Sequence, residues 1–190
     1  MNWKGIVLAG GKSRRFGEDK ALATMDGITL IERAVSLLRQ VQIDPIVITN
    51  KTRKYSFLNC QIERDLIPDM GPLGGIYTAC ELFKGSDSTL LVLTCDMPHI
   101  TVSELSVLMK DHERENKITL FDSGRNRLQP FPGVYESDLY ADALCAFKKE
   151  KLSMQEFIRS VSNYRVIPCE FNRDRFLNVN DKHSLVQRQG

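Results

Sequence analysis

The chain predicts an α/β fold, a three-layer α/β/α arrangement around a mostly parallel, doubly wound sheet of the Rossmann-like kind. Three observations carry this expectation. Short, fully apolar runs alternate with stretches of helical periodicity along most of the 190 residues. Several of these runs end in glycine or aspartate, as strands do where they deliver the chain to a binding edge. Three Ser/Thr-x-x-Glu capping boxes mark helix starts between them.

In chain order, Ile6–Ala9 is apolar without alternation, as expected of a strand covered on both faces. Asp26-Gly27 marks a turn, and Thr29 with Glu32 caps a helix whose stripe is Leu30, Ile31, Ala34, Leu37, Leu38 and Val41. Ile46–Thr49 and Gln61–Arg64 are the next strands, and a turn at Gly71-Pro72 leads into a helix over Ile76–Phe83. Thr89–Thr94 has the strongest strand character in the chain. Thr101 and Glu104 then cap a helix with Leu105, Leu108 and Met109 inward. After the run Lys117–Phe121 the pattern becomes less regular. A charged turn over Ser123–Arg127 precedes a strand at Pro130–Tyr135, followed by helices near Asp138–Lys148 and Ser153–Val161, the second capped by Ser153 with Glu156. Tyr164–Cys169 and Phe176–Val179 are expected as short closing strands. With no repeat, low-complexity tract or linker, residues 1–190 are expected to form a single domain.

Composition narrows the function classes. The chain is 42% hydrophobic and 26% charged, with a formal charge of +2, ordinary for a globular protein and no basis for nucleic-acid binding. No apolar stretch approaches the ~20 residues that span a bilayer. Met1-Asn2-Trp3-Lys4 lacks a signal peptide's tripartite form, so a cytoplasmic protein with no membrane role is expected. Five scattered cysteines with no C-x-x-C pair argue against both a disulfide framework and a zinc site. His99, His112 and His183 show neither ligand spacing nor a triad; His112, among charged neighbours, is expected to be solvated.

Three features point to the carboxyl edge of the sheet. The first is "VLAGGKSRRFGEDKA", where Gly10 and Gly11 end a strand amid Lys12, Arg14, Arg15 and Lys20. Glycines without Cβ let backbone amides approach a ligand, and the cations suit a polyanion, although a bare Gly-Gly turn with solvated charge has the same composition. The loop matches neither a Walker A motif nor a dinucleotide fingerprint. The second feature is a pair of strand-end aspartates, Asp65 and Asp96. Hard carboxylate oxygens there suit Mg²⁺ together with phosphate oxygens, whereas the bland alternative for each is a turn or N-cap. The third is "MGPLGG", whose Gly71, Gly74 and Gly75 ahead of a helix either leave backbone amides open to a ligand or form a tight turn. Occurring together on one edge, the three suggest a nucleoside triphosphate with a metal ion.

"LAGGKSRRFGEDKA" resembles the nucleotidyltransferase signature G-G-x-S-x-R-x-G-x-x-K. "DMGPLGG", "CDMP" and "FLNVND" are similar, in order and spacing, to the molybdenum cofactor guanylyltransferases, the MobA-type family. The resemblance covers nearly the whole chain. It implies transfer of GMP from GTP to the terminal phosphate of molybdopterin or Mo-molybdopterin, with Mg²⁺ as cofactor and pyrophosphate as product. It extends to hand-off partners among cofactor-biosynthesis proteins and molybdoenzyme chaperones. Carried over by motif, Leu8, Ala9, Gly10 and Gly11 hold the nucleotide, and Arg15 and Lys20 neutralise the triphosphate. Asp96 matches the magnesium ligand, and Asp65 a nucleotide-binding aspartate. The position after the second strand falls on Thr49 or Asn50; Asn50, whose amide can both donate and accept, is preferred. Arg127, Asn178 and Asn180 match the acceptor side, with solvated loop charge the alternative for Arg127. A cytidylyltransferase on the same fold, a sugar-phosphate nucleotidyltransferase and a non-catalytic nucleotide-binding module are the competing readings. Lys20 and Asp96 together speak against the last.

Overall fold

The computed structural model describes residues 1–10, 19–122, 128–148, 153–169, 171 and 173–179. Gly11, Arg15, Arg127 and Asn180, all candidate site positions, lie outside the described residues, as does the expected turn over Ser123–Arg127.

Strand β1 (Trp3–Leu8) enters the centre of the sheet and is followed by a small hairpin, β2 (Thr24–Met25) and β3 (Ile28–Thr29). The hairpin turns on Asp26 and Gly27, both at positive φ (53° and 76°), the Asp-Gly chemistry such a two-residue turn requires. Helix α1 (Leu30–Gln40) starts at the expected capping box, with Thr29 and Glu32 exchanging side-chain and backbone hydrogen bonds. There follow β4 (Pro45–Thr49), β5 (Gln61–Arg64), α2 (Gly71–Leu82), β6 (Thr89–Thr94) and α3 (Val102–Asp111), the last with its Thr101–Glu104 box intact. The remainder comprises β7 (Ile118–Asp122), β8 (Leu128–Glu136), α4 (Tyr140–Lys148), α5 (Met154–Ser160) and β9 (Tyr164–Ile167).

Seven strands form one sheet in the order β5-β4-β1-β6-β8-β7-β9. Pairings β5/β4, β4/β1, β1/β6 and β7/β9 are parallel, while β8 runs antiparallel to β6 and β7 on either side. Consecutive strand residues point to opposite faces, and the core divides accordingly. Val7, Val47, Leu91 and Leu93 pack with Ile31, Leu38, Leu105 and Leu108 of α1 and α3. Ile6, Leu8, Ile46, Ile48, Leu90 and Val92 pack on the other face with α2, α4 and α5. This is the expected three-layer, mostly parallel α/β/α fold.

Some local expectations require correction. Helix α2 begins at Gly71 rather than Ile76, because Gly71 takes positive φ (62°) and Pro72 sits in the first turn, where its missing N–H is no loss. No strand forms over Phe176–Val179. Arg173–Phe176 is a 3₁₀ turn, and Val179 N–H donates to Asp96 O at 2.8 Å. His112 is not solvated but 3% exposed. Its ring lies between Thr119 Oγ1 and Glu136 Oε1, each at 2.8 Å, with the edge of Trp3 nearby. The charged residues flanking His112 in sequence concealed a position that turns under the sheet.

Candidate active site

Four parallel strands, β5, β4, β1 and β6, end along one edge, and each delivers site residues just past its end. Ala9 and Gly10 follow β1, Asn50 and Lys51 follow β4, Asp65 follows β5, and Cys95 and Asp96 follow β6. Together with Asp19, Lys20, Asp69 and the start of α2, they line a cavity of about 680 Å³. That volume falls in the range of small-molecule sites, roughly 300–1,000 Å³. Leu8, Ala9, Gly10, Lys20, Asn50, Asp65 and Asp96 are thus gathered around one space, as the sequence led us to expect.

The strand ends are locked together before any ligand arrives. Ala9 N–H donates to Ile48 O at 2.9 Å, and the Thr49 hydroxyl donates to Ala9 O at 2.9 Å. Lys51 N–H returns to Thr49 Oγ1 at 3.1 Å, and Asp65 N–H to Thr49 O at 3.2 Å. Thr49 is therefore a 1% exposed structural clasp, which leaves Asn50, exposed and lining the cavity, as the position able to meet a ligand. The Asp65 carboxylate is oriented through Oδ1. Ile67 N–H donates to that oxygen at 3.0 Å, and the Thr78 hydroxyl stands 3.0 Å from it. Oδ2 is the oxygen these contacts leave for a ligand.

At the other end of the edge, Lys20 Nζ lies 3.2 Å from Asp96 Oδ2, and the Thr94 hydroxyl donates to Oδ1 at 2.6 Å. The two charged side chains are 17% and 27% exposed. Burial, with the charges of Asp96 and Asp19 adding to it, pushes the Cys95 thiol far up, which argues against a nucleophilic role. Cys80 is likewise inert through burial.

The glycines of "MGPLGG" divide by role. Gly71 lines the cavity at the opening of α2. Gly74 and Gly75 are held small by packing, and Gly75 lines the cavity together with Gly71. A Cβ on Gly74 would stand 2.7 Å from Ile67 O, and one on Gly75 would stand 2.8 Å from Leu8 Cδ2. Their smallness brings the helix N-terminus against β1 and the Asp65 loop. Asn178 is exposed and outside the cavity lining, but its neighbour Val179 donates to Asp96 O, so the segment returns to the end of β6.

Sequence reasoning missed Asp19, Lys51, Tyr55 and Asp69. Asp19 and Lys51 were legible only as immediate neighbours of Lys20 and Asn50. Tyr55 has no local signal, because its partner Asp19 lies 36 residues away.

Among the described residues no three His, Cys, Asp or Glu side chains cluster to hold a metal. The donor set suits a hard dication that takes one carboxylate, Asp96, and completes its shell with ligand phosphate oxygens and water. No helix of the described residues is long and apolar enough to cross a membrane.

With this geometry in place, comparisons with known proteins agree on a relationship. The MobA-like NTP transferase domain matches residues 5–165. A Bacillus cereus protein named "Probable molybdenum cofactor guanylyltransferase" is 32% identical over 197 aligned residues, covering 98% of this chain and 96% of its own. A Carboxydothermus hydrogenoformans protein of the same name is 29% identical, covering 92% and 88%. The crystal structure of molybdopterin-guanine dinucleotide biosynthesis protein A from Archaeoglobus fulgidus superposes with a TM-score of 0.78 over 97% of this chain and 95% of that one. At 20% identity that likeness speaks to the fold.

Proposed function

The chain belongs to the MobA-like NTP transferase domain family, and from that premise we propose that it transfers GMP from GTP to the terminal phosphate of molybdopterin, forming the guanine dinucleotide cofactor and releasing pyrophosphate. The observation that carries this reading is the opposition of Lys20 and Asp96 at one end of a nucleotide-sized cavity floored by β1, β4, β5 and β6.

In the reaction a phosphate oxygen of the acceptor forms a bond to the α-phosphorus of GTP. The bond from that phosphorus to the oxygen bridging to the β-phosphate breaks, and pyrophosphate carries away the electron pair. The acceptor phosphomonoester is already anionic at neutral pH, so no general base is required. Among the described residues no histidine lines the cavity, which suits that chemistry. The protein's work is positioning and charge neutralisation. Gly10 brings backbone close to the nucleotide, Asn50 meets the base, and Asp65 presents Oδ2 to the nucleotide. Lys20 offsets negative charge at the α-phosphate and the leaving group, with Arg15 assigned the same task by motif. Asp96, released from Lys20 on binding, would hold Mg²⁺, which supplies Lewis-acid neutralisation of the phosphate oxygens. Asn178, Asn180 and Arg127 are assigned to the pterin side. We place the reaction in the cytoplasm, where the cysteines, all free, would remain reduced.

Pyrophosphate release with GTP, molybdopterin and Mg²⁺ tests the proposal. Release that requires all three components is the expected result. Nucleotide binding without turnover would replace the enzyme with a binding module.

A further inference from the structure

Asp19 presents a physical problem. It is an acidic side chain, 5% exposed, in the lining of a cavity assigned to a polyanion. A carboxylate there repels the triphosphate and is costly to bury unless its partners compensate. Partners are in place. The Tyr55 hydroxyl stands 3.0 Å from Oδ2 and 3.1 Å from Oδ1, Lys51 Nζ lies 3.1 Å from Oδ2, and Lys54 Nζ lies 3.8 Å away. Tyr55 is fully buried. Burial first, then the neighbouring Asp19 charge, holds its hydroxyl protonated far above neutral pH, so it remains a donor.

All three partners come from one segment, Lys51 with the 3₁₀ helix Thr52–Leu58 that follows β4. Asp19 therefore ties the chain just before Lys20 to the segment that follows β4, the strand beside β1. The tie lies one residue before Lys20. From Asp19 the chain closes a 3₁₀ turn, with Leu22 N–H on Asp19 O and Ala23 N–H on Lys20 O, each at 3.0 Å. The two adjacent side chains diverge, Asp19 toward the Thr52–Leu58 helix and Lys20 across the cavity to Asp96. Lysine carries four rotatable bonds, so placing its ammonium depends on fixing its Cα.

We infer that Asp19, clamped by Tyr55 and Lys51, is a positioning residue that sets the reach of Lys20 into the reacting centre. Its buried charge is retained for this anchoring, and Lys51 and Lys54 offset what the triphosphate would otherwise meet. The kinetic half of the inference rests on the guanylyltransferase reading, whereas the placement of Lys20 does not.

The test uses full-length Asp19→Ala and Tyr55→Phe, the second keeping the buried ring. Acylation of Lys20 by an amine-reactive ester, followed by peptide mass spectrometry, reads its placement without substrate. We expect Lys20 labelling to rise several-fold in both variants, while exposed Lys110 is unchanged. In turnover, kcat should fall about tenfold with KM for GTP nearly constant, the signature of lost transition-state stabilisation. In a Lys20→Ala background neither substitution should cause a further drop, because residues acting through one group are not additive. Unchanged Lys20 labelling in folded Tyr55→Phe, or a full multiplicative loss on top of Lys20→Ala, would overturn the inference. A wild-type protein that does not turn over GTP, with the labelling shift intact, would overturn the guanylyltransferase reading and leave the clamp standing.

Discussion

Lys20 Nζ and Asp96 Oδ2 meet at 3.2 Å across 76 residues of sequence, closing one end of the cavity with a partly exposed ion pair. Such a pair contributes little to stability, roughly 0–1 kcal/mol before screening. Its charges are nevertheless those a phosphoryl site needs, one to hold a hard cation and one to neutralise phosphate oxygens. Each partners the other here, and on the proposed mechanism a metal–nucleotide complex would exchange that contact for one with each of them. Structure and reaction therefore make opposite demands on these residues, and substitution separates them.

Asp96→Asn preserves the shape of the side chain and an acceptor for the Thr94 hydroxyl while removing the charge. The neutral amide is a poor hard-cation ligand, so turnover should be abolished while the thermal midpoint hardly moves. Near-normal rates from a folded Asp96→Asn protein across a Mg²⁺ titration would remove Asp96 as the metal ligand.

Lys20→Ala should lower kcat by roughly two orders of magnitude or more, the scale seen when a preorganised electrostatic group is lost. A mere surface lysine would leave the rate unaltered and stability within about 0.5 kcal/mol. Steady-state rates paired with thermal melts distinguish these outcomes.

The parts of the site legible in the sequence are those that strands deliver. A strand that ends just before Gly10, Asp65 or Asp96 places that residue near the carboxyl edge by topology, so the pattern locates it, whereas the choice of Asn50 over Thr49 rests on the family resemblance. What stayed hidden depends on contacts between distant segments. Asp19 acquires meaning only through Tyr55, and His112 is drawn under the sheet by Glu136 and Thr119 although its neighbours are charged. Phe176–Val179 reads as a short strand in the sequence, but Val179, buried in the fold, donates to the backbone of Asp96 rather than joining a ladder. The same limit applies to Gly74 and Gly75, where a Gly-Gly pair announces close approach without saying to what.

Gly74→Ala tests that close approach. Its Cβ would meet a backbone oxygen, Ile67 O at 2.7 Å, with Asp65 Oδ1 only 3.6 Å away. Neither the helix nor the loop can yield without moving the other, so stability should fall by about 1–3 kcal/mol. Displacement of Asp65 should also raise KM for the nucleotide. Denaturant unfolding and nucleotide titration measure the two effects, and an unperturbed midpoint would show that the loop is free to shift.

Glu104 links stability to acid. Burial raises its pKa, but the Thr101 side chain, Arg175 and the Thr101 backbone together outweigh that effect and hold the carboxyl below its ordinary 4.5. A depressed folded-state pKa contributes stability that is present above the unfolded value and lost as pH falls through the folded one. The protein should therefore lose this contribution progressively as pH falls below about 4.5, and Glu104→Gln should be less stable at neutral pH with a shallower acid limb. Urea midpoints measured from pH 7 downward compare the two. Parallel curves would show that Glu104 is not coupled to acid unfolding.

Donor choice follows from what the cavity offers the base. Guanine presents an acceptor at O6 and donors at N1 and the 2-amino group, whereas cytosine reverses that order at its pairing edge. The backbone of Ala9 is already engaged by Ile48 and Thr49, so on the proposed function Gly10 and the Asn50 amide, which both donates and accepts and lines the cavity, would read the base. A wrong base leaves such groups unpaired at about 1–3 kcal/mol each, and two mismatches amount to a preference of roughly thirtyfold or more. With molybdopterin and Mg²⁺, CTP and ATP should thus be at least tenfold poorer than GTP in kcat/KM. Asn50→Ala should narrow that gap more than it lowers the rate with GTP, since it removes discrimination without touching the reacting phosphates. If CTP proved the better donor, the same fold and the same Lys20–Asp96 centre would belong to a cytidylyltransferase.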